Sequence, residues 1–199
     1  MEKTDICSLS LFVALDTAWI LITNLRQEGE KIQIYGNNNT DAQKWKLHPN
    51  ADGSFQITSK ATKDKKALTN GPKSTTSGQP VQSYTRKEEN EHQDWYFEPA
   101  DEGTVSAVPK AGGTYHIRVR HSGQYIDVKN ASTAAGTQAV QFNYNGGMNQ
   151  QYRLLPYDGT YYQLEPVHAP GKVLAKSGTN DRGFSILSLE TAMSGAANQ

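Results

Sequence analysis

Gln43-Lys44-Trp45-Lys46-Leu47, Gln93-Asp94-Trp95-Tyr96-Phe97 and Gln150-Gln151-Tyr152-Arg153-Leu154 are three versions of one word, Gln-x-aromatic-x-hydrophobic. Their glutamines stand 50 and 57 residues apart. Gln199 lies 49 residues after Gln150 and follows Asn198 as Gln150 follows Asn149, so the chain is expected to stop inside a fourth copy. A period of this size marks a repeat architecture whose single unit is too small to bury its own apolar face.

Other landmarks recur in phase with the word. A glycine turn leads into a strand at Gly53-Ser54-Phe55-Gln56-Ile57, Gly113-Thr114-Tyr115-His116-Ile117 and Gly159-Thr160-Tyr161-Tyr162-Gln163-Leu164. A second strand follows at Lys66–Thr69, Gln124–Val128 and Lys172–Ala175. A third ends on an aromatic residue in Val81-Gln82-Ser83-Tyr84 and Val140-Gln141-Phe142, and Ile32-Gln33-Ile34-Tyr35 is similar. Turn-formers such as Asn37-Asn38-Asn39, Asn70-Gly71-Pro72 and Asn145-Gly146-Gly147 separate them. Tyr115 to Arg120 alternates apolar and polar residues, the pattern of a half-buried strand. The reading is all-β, with about four short strands per unit and roughly three units closing on a shared core so that no sheet edge is left open. Trp19 to Arg26 is the one helix candidate, and its β-branched content suits a strand equally well.

Composition agrees with many short strands and turns. The 199 residues include 13 Asn, 14 Gln, 17 Gly and 10 Tyr, while only 36% are hydrophobic. Twenty Lys plus Arg balance twenty Asp plus Glu, which argues against a nucleic-acid partner and a polybasic membrane contact. Cys7 is the single cysteine, so no intramolecular disulfide or cysteine zinc cluster is expected. Ile6 to Leu15 is apolar, yet Asp5 and Asp16 flank it, too close for a membrane span, and no good cleavage site follows. Localisation stays open between secreted and cytoplasmic.

The Gln-x-Trp word in phase with these strands resembles the ricin-type β-trefoil lectin family. The third unit resembles it best, through Ser122 to Val128, Gly136, Val140 to Tyr144 and Asn145 to Tyr152, with Tyr152 where Trp is usual. The resemblance implies a β-trefoil of about 50-residue, four-stranded repeats, and a non-enzymatic carbohydrate-binding module. It also implies that the words are scaffold, each glutamine tying neighbouring backbone and each indole filling the core. Binding residues are then expected as an acid ending the second strand, an aromatic ending the third and an Asn before the word. In unit three these are Asp127, Phe142 and Asn149, with Gln150 and Asn145 beside them, although Val140 stands where a polar Gln is often found. The plain alternative is that Asp127 caps a turn with Asn130 or Ser132 and Phe142 packs on Tyr125.

The other units depart further. Unit two has Thr69 for the acid, with Gln82, Tyr84 and His92 in the remaining positions. Unit four has Ala175 for the acid and Leu189 near the aromatic position. Unit one keeps Gln33, Tyr35 and Gln43, but its acid candidate, Asp16, precedes Gln33 by 17 residues against 13 from Asp127 to Val140. Residues 1–30 read as an irregular or degenerate first half-repeat and 31–157 as trefoil repeats. Residues 158–199 read as a further repeat that completes the trefoil or is truncated. Either units two to four close one trefoil with residues 1–50 extra, or units one to three do and leave 158–199 loose.

The five histidines show no ligand spacing, Lys60 to Lys66 reads as a solvated hairpin, and neither a metal nor another cofactor is expected. The expected partners are glycans of galactose or N-acetylgalactosamine type, with no nucleic acid and no membrane insertion. One good site predicts weak binding, strengthened by tethering to a larger protein or by self-association. Rival readings are the receptor-binding part of a toxin, an appended module of a glycoside hydrolase, and a protein-binding or protease-inhibitor trefoil.

Overall fold

The computed structural model describes residues 28–71, 74–100 and 108–177. The expectations for Cys7, Ile6 to Leu15, Asp16, Trp19 to Arg26, Leu189 and the fourth word at Gln199 lie outside the described residues. Twelve strands follow in order: β1 (Glu30–Gly36), β2 (Trp45–Pro49), β3 (Phe55–Ser59), β4 (Lys66–Thr69), β5 (Gln82–Thr85) and β6 (Asp94–Pro99), then β7 (Thr114–Val119), β8 (Tyr125–Val128), β9 (Ala139–Phe142), β10 (Gln151–Pro156), β11 (Tyr162–Pro166) and β12 (Lys172–Lys176).

Their pairing is a β-trefoil. Within each unit the first and fourth strands pair at an equivalent position: Phe55 opposite Trp95, Tyr115 opposite Tyr152, and Tyr162 opposite Trp45. Neighbouring units join along the long antiparallel pairs β2–β3, β6–β7 and β10–β11, which closes the barrel. The second and third strands form the hairpins β4–β5, β8–β9 and β12–β1. These hairpins touch one another through β1–β5 and the bridges Pro80–Val140 and Gln33–Gln138, capping the barrel.

One unit, the split unit, is assembled from both ends of the described chain. β11 and β12 supply its first two strands, and β1 and β2 supply the last two, with Ile32 opposite Lys176 and Gly36 opposite Lys172. The pieces read in sequence as units one and four are thus halves of one unit.

The repeated word does the same work three times. Trp45, Trp95 and Tyr152 are fully buried at the centre of the core. Trp45 Nε1 donates to Leu174 O at 2.9 Å and Trp95 Nε1 to Leu68 O at 3.1 Å. The Tyr152 hydroxyl instead reaches Asn149 O, at 3.4 Å. Each glutamine clasps the loop before its own strand. Gln43 donates to Gly36 O and accepts from Asn38 N; Gln93 does so with Thr85 O and Lys87 N, and Gln150 with Asn143 O and Asn145 N. An amide has both donors and an acceptor, so one side chain satisfies both groups of a loop that leaves the sheet.

Lys60 to Lys66 differs from the solvated hairpin expected of it. Lys66 is buried, its Nζ 3.1 Å from Glu30, whose other oxygen lies 2.6 Å from Lys176 Nζ. This buried Lys–Glu–Lys triad ties β4 and β12 to β1. Burial lowers the Lys176 pKa from its ordinary value, against the raising effect of Glu30.

Candidate functional site

Threefold equivalence gives each hairpin an outward position for the same residues. Across the ladders, Asp127 faces Val140, Thr69 faces Gln82 and Ala175 faces Gln33. Two residues back on the second strand, Tyr125 faces Phe142, Ala67 faces Tyr84 and Val173 faces Tyr35. Because strand side chains alternate, both members of each pair lie on the outer side of the hairpin while Ile126, Leu68 and Leu174 enter the core.

In unit three these positions form a cleft of about 290 Å³ lined by Asp127, Val140, Phe142, Asn145 and Asn149, with Lys129 to Ala131 on the rim. Asp127 Oδ2 accepts from Asn149 Nδ2 at 2.8 Å and Gln150 Nε2 at 3.1 Å. Asn149 Nδ2 also lies 3.3 Å from Val128 O. The carboxyl pKa is raised from its ordinary value because burial outweighs the amide hydrogen bonds from Gln150, Asn149 and Asn145. Asp127 therefore meets Asn149 and Gln150 rather than Asn130 or Ser132. Phe142 is 39% exposed at the cleft, while the Tyr125 ring meets His116 and Tyr144.

Four of the eight residues singled out in sequence, Asp127, Phe142, Asn145 and Asn149, thus line one cleft. Gln150 has no exposed surface and sits behind Asp127, holding the carboxylate and the loop together. In the Asn145-Gly146-Gly147 loop, Asn145 N donates to Gln150 Oε1 and Gly147 N to Asn145 Oδ1 at 2.8 Å. A Cβ on Gly147 would collide with the side-chain oxygens of both Asn149 and Asn145, so glycine is what lets the two amides approach. Gln141 points away from the cleft and donates to Ser74 O and Thr76 O. The floor of the cleft is therefore apolar at Val140.

Tyr84 and His92 line a second cleft of about 290 Å³ in unit two. Thr69 takes the acid position and its hydroxyl accepts from Gln93, as Asp127 does from Gln150. Gln82 is engaged elsewhere, donating to Gly29 O at 2.6 Å. His92 bonds Asn70 through Nδ1 and packs on His121 with ring centroids 3.8 Å apart. Glu28 is a lining residue that sequence reasoning missed, since only the β1–β5 pairing brings it there. In the split unit, Ala175 stands opposite Gln33, so Tyr35 and Gln43 border a cavity of about 10 Å³ with no acid. That is room for about one water molecule. Among the described residues no group of three or more His, Cys, Asp or Glu side chains could hold a metal ion.

The sequence matches no curated protein. Among solved structures, the chain is similar to ThreeFoil, a designed threefold-symmetric protein, at 27% identity and a TM-score of 0.48, over 71% of this chain and 94% of that one. It is also similar to part of 1,3Gal43A, an exo-β-1,3-galactanase from Clostridium thermocellum, at 22% identity and a TM-score of 0.51. That match covers 64% of this chain and 30% of the galactanase, and it supports the fold alone. The profile of the ricin-type β-trefoil lectin domain-like family matches residues 22–84 and 91–187. Matched over most of its length and folded as that profile implies, the chain belongs to the ricin-type β-trefoil lectin domain-like family.

Proposed function

We propose that the protein binds carbohydrate, without converting it, in the cleft built by Asp127, Asn149 and Phe142. The observation that carries this reading is a buried carboxylate, held by two side-chain amides, beside a half-exposed aromatic ring. A pyranose presents adjacent hydroxyls along its rim and C–H groups on one face. The carboxylate accepts from the hydroxyls, a charge-assisted bond stronger than a neutral one. The ring of Phe142 covers the apolar face. Family membership makes galactose or N-acetylgalactosamine the first sugars to test.

The unit-two cleft, with Thr69 for the carboxylate, binds more weakly on this reading, and the split unit is silent. A single shallow cleft gives a dissociation constant on the order of millimolar, about 4 kcal/mol. Useful avidity then comes from attachment to a larger protein or from self-association.

A glycan array and a galactose column test the reading, with Asp127→Asn as the control. Retention of the native protein and its loss in the variant are expected. Unchanged binding by the variant would move the site away from unit three, and inhibition of a protease with no glycan bound would replace the reading.

A further inference from the structure

We propose that the Asp127 cleft continues into a second subsite that holds the neighbouring pyranose ring of an oligosaccharide, formed by Tyr144 and Tyr125 with Arg118 and Glu98 at its far end. This rests on the cleft being a sugar site, and it names the larger ligand that the site takes.

The pointer is a break in threefold equivalence. Two residues beyond the aromatic position, the other units place a polar clasp onto the barrel wall. Asn37 and Gln163 exchange amide hydrogen bonds of 2.9 and 3.0 Å, and Arg86 Nε donates to Gln56 Oε1 at 2.7 Å. The equivalent pair in unit three is Tyr144 and His116, in edge contact with ring centroids 5.2 Å apart. Tyr144 remains 61% exposed. The scaffold is served by a hydrogen-bonded pair at this position, so an exposed aromatic ring here needs another reason.

The surroundings change in the same direction. Tyr125 replaces the Ala67 and Val173 of the other units, faces Phe142 across the ladder and meets Tyr144 with centroids 5.3 Å apart. Phe142, Tyr125 and Tyr144 thus form a continuous aromatic strip from the cleft to the flank of the barrel. Tyr125 lies two residues from Asp127 on one strand, about 7 Å away, comparable with the step from one sugar ring to the next.

At the far end, Arg118 Nε donates to Glu98 Oε1 at 2.5 Å, and the Tyr125 hydroxyl donates to Glu98 Oε2 at 2.9 Å. Arg118 also lies over the Tyr96 ring, 4.8 Å from its centroid. Arg118 and Glu98 are 30% and 38% exposed. The register gives Thr58 with His48, and Glu165 with Leu155, at the equivalent positions, so among the described residues this cluster occurs only at the seam between units two and three, beside the Asp127 cleft. A guanidinium keeps donors to spare and a carboxylate keeps lone pairs, which suits the hydroxyl edge of a pyranose whose C–H face covers the tyrosines. The uncharged, two-edged character of a neutral sugar matches a patch in which the two charges already offset each other.

An array of matched galactose-containing mono-, di- and trisaccharides, followed by titration calorimetry with methyl β-galactoside, lactose and β-1,3-galactobiose, tests the proposal on the full chain. At least one oligosaccharide is expected to bind ten-fold or more tightly than the monosaccharide. Tyr144→Ala and Arg118→Ala are each expected to bring that oligosaccharide back toward monosaccharide affinity, with the thermal transition of each variant confirming a folded protein. Equal affinity for mono- and oligosaccharides, or a gain that survives both substitutions, overturns the second subsite and leaves the first intact. Absence of any glycan binding by the folded native protein overturns both.

Discussion

Asp127 illustrates how a binding position can work against the fold that carries it. Its burial favours the protonated form, so the folded protein holds this proton to higher pH than the unfolded chain does. The group therefore adds stability at low pH and loses that contribution as pH rises through its raised folded-state value. Asp127→Asn keeps an acceptor for Asn149 and Gln150 while removing a buried charge. It is expected to unfold at pH 7 within about 1 kcal/mol of the native protein or above it, by denaturant titration, while losing sugar retention. Sugar affinity of the native protein should also fall on acidification with a midpoint above the ordinary 3.8.

Tyr152 gives a second test at this scale. Its 3.4 Å hydrogen bond is long for a hydroxyl donor, so Tyr152→Phe should cost no more than about 1 kcal/mol. Trp95→Ala, which empties a fully buried site and removes the bond to Leu68 O, should cost about 3–5 kcal/mol. Both follow from equilibrium unfolding. The aromatic identity of these positions was readable in the sequence, because only the core position of the word keeps a large ring in all three copies. The role of Gln150 was half readable. Its clasp on the loop follows from the pattern, but its hold on Asp127 depends on a contact across 23 residues that spacing does not encode.

The β8–β9 hairpin and the β9–β10 loop carry the site because each backbone feature places one side chain. Ala67 and Val173 stand where β8 has Tyr125, a difference visible in the sequence only after the register is known. In the sequence Gly147 reads only as part of a turn-forming Asn-Gly-Gly stretch. Its need is steric, since Asn145 and Asn149 crowd the space of its missing Cβ. Gly147→Ala is accordingly expected to weaken sugar binding at least several-fold by displacing Asn149, read by calorimetry on a folded variant. On β1, Glu30 compensates two buried lysines, and Glu30→Gln leaves Lys176 without its carboxylate. Breaking such a buried pair costs about 3–5 kcal/mol, far more than a surface pair. A variant that unfolds at the native midpoint would show that the triad carries no such burden.

Across the whole molecule, the repeats and strand boundaries were legible, and the seam was not. Nothing in a linear reading pairs Ile32 with Lys176, because the split unit draws its halves from segments separated by the rest of the barrel. The same blindness left Asp16 as an acid candidate for Gln33, where the register supplies Ala175. Closure by distant segments has a consequence for stability. A chain ending at Ala169 lacks β12, and with it the ladder partner of β1, the acceptor of the Trp45 indole and the Lys176 arm of the triad. It is expected to lose the cooperative thermal transition altogether, since β1 would lose its hairpin partner and β2 would keep only the Tyr162–Trp45 point of contact with β11; a transition at native temperature would mean that the barrel closes without this seam.

The most direct measurement of the central claim is a titration of isotopically labelled protein with galactose and N-acetylgalactosamine, followed by amide and side-chain NMR shifts. Saturable shifts concentrated on Asp127 to Ala131, Val140, Phe142 and Asn145 to Gln150, and absent in Asp127→Asn, are the predicted result. Saturable shifts confined to another face of the barrel, or equally strong in the Asp127→Asn protein, would contradict it.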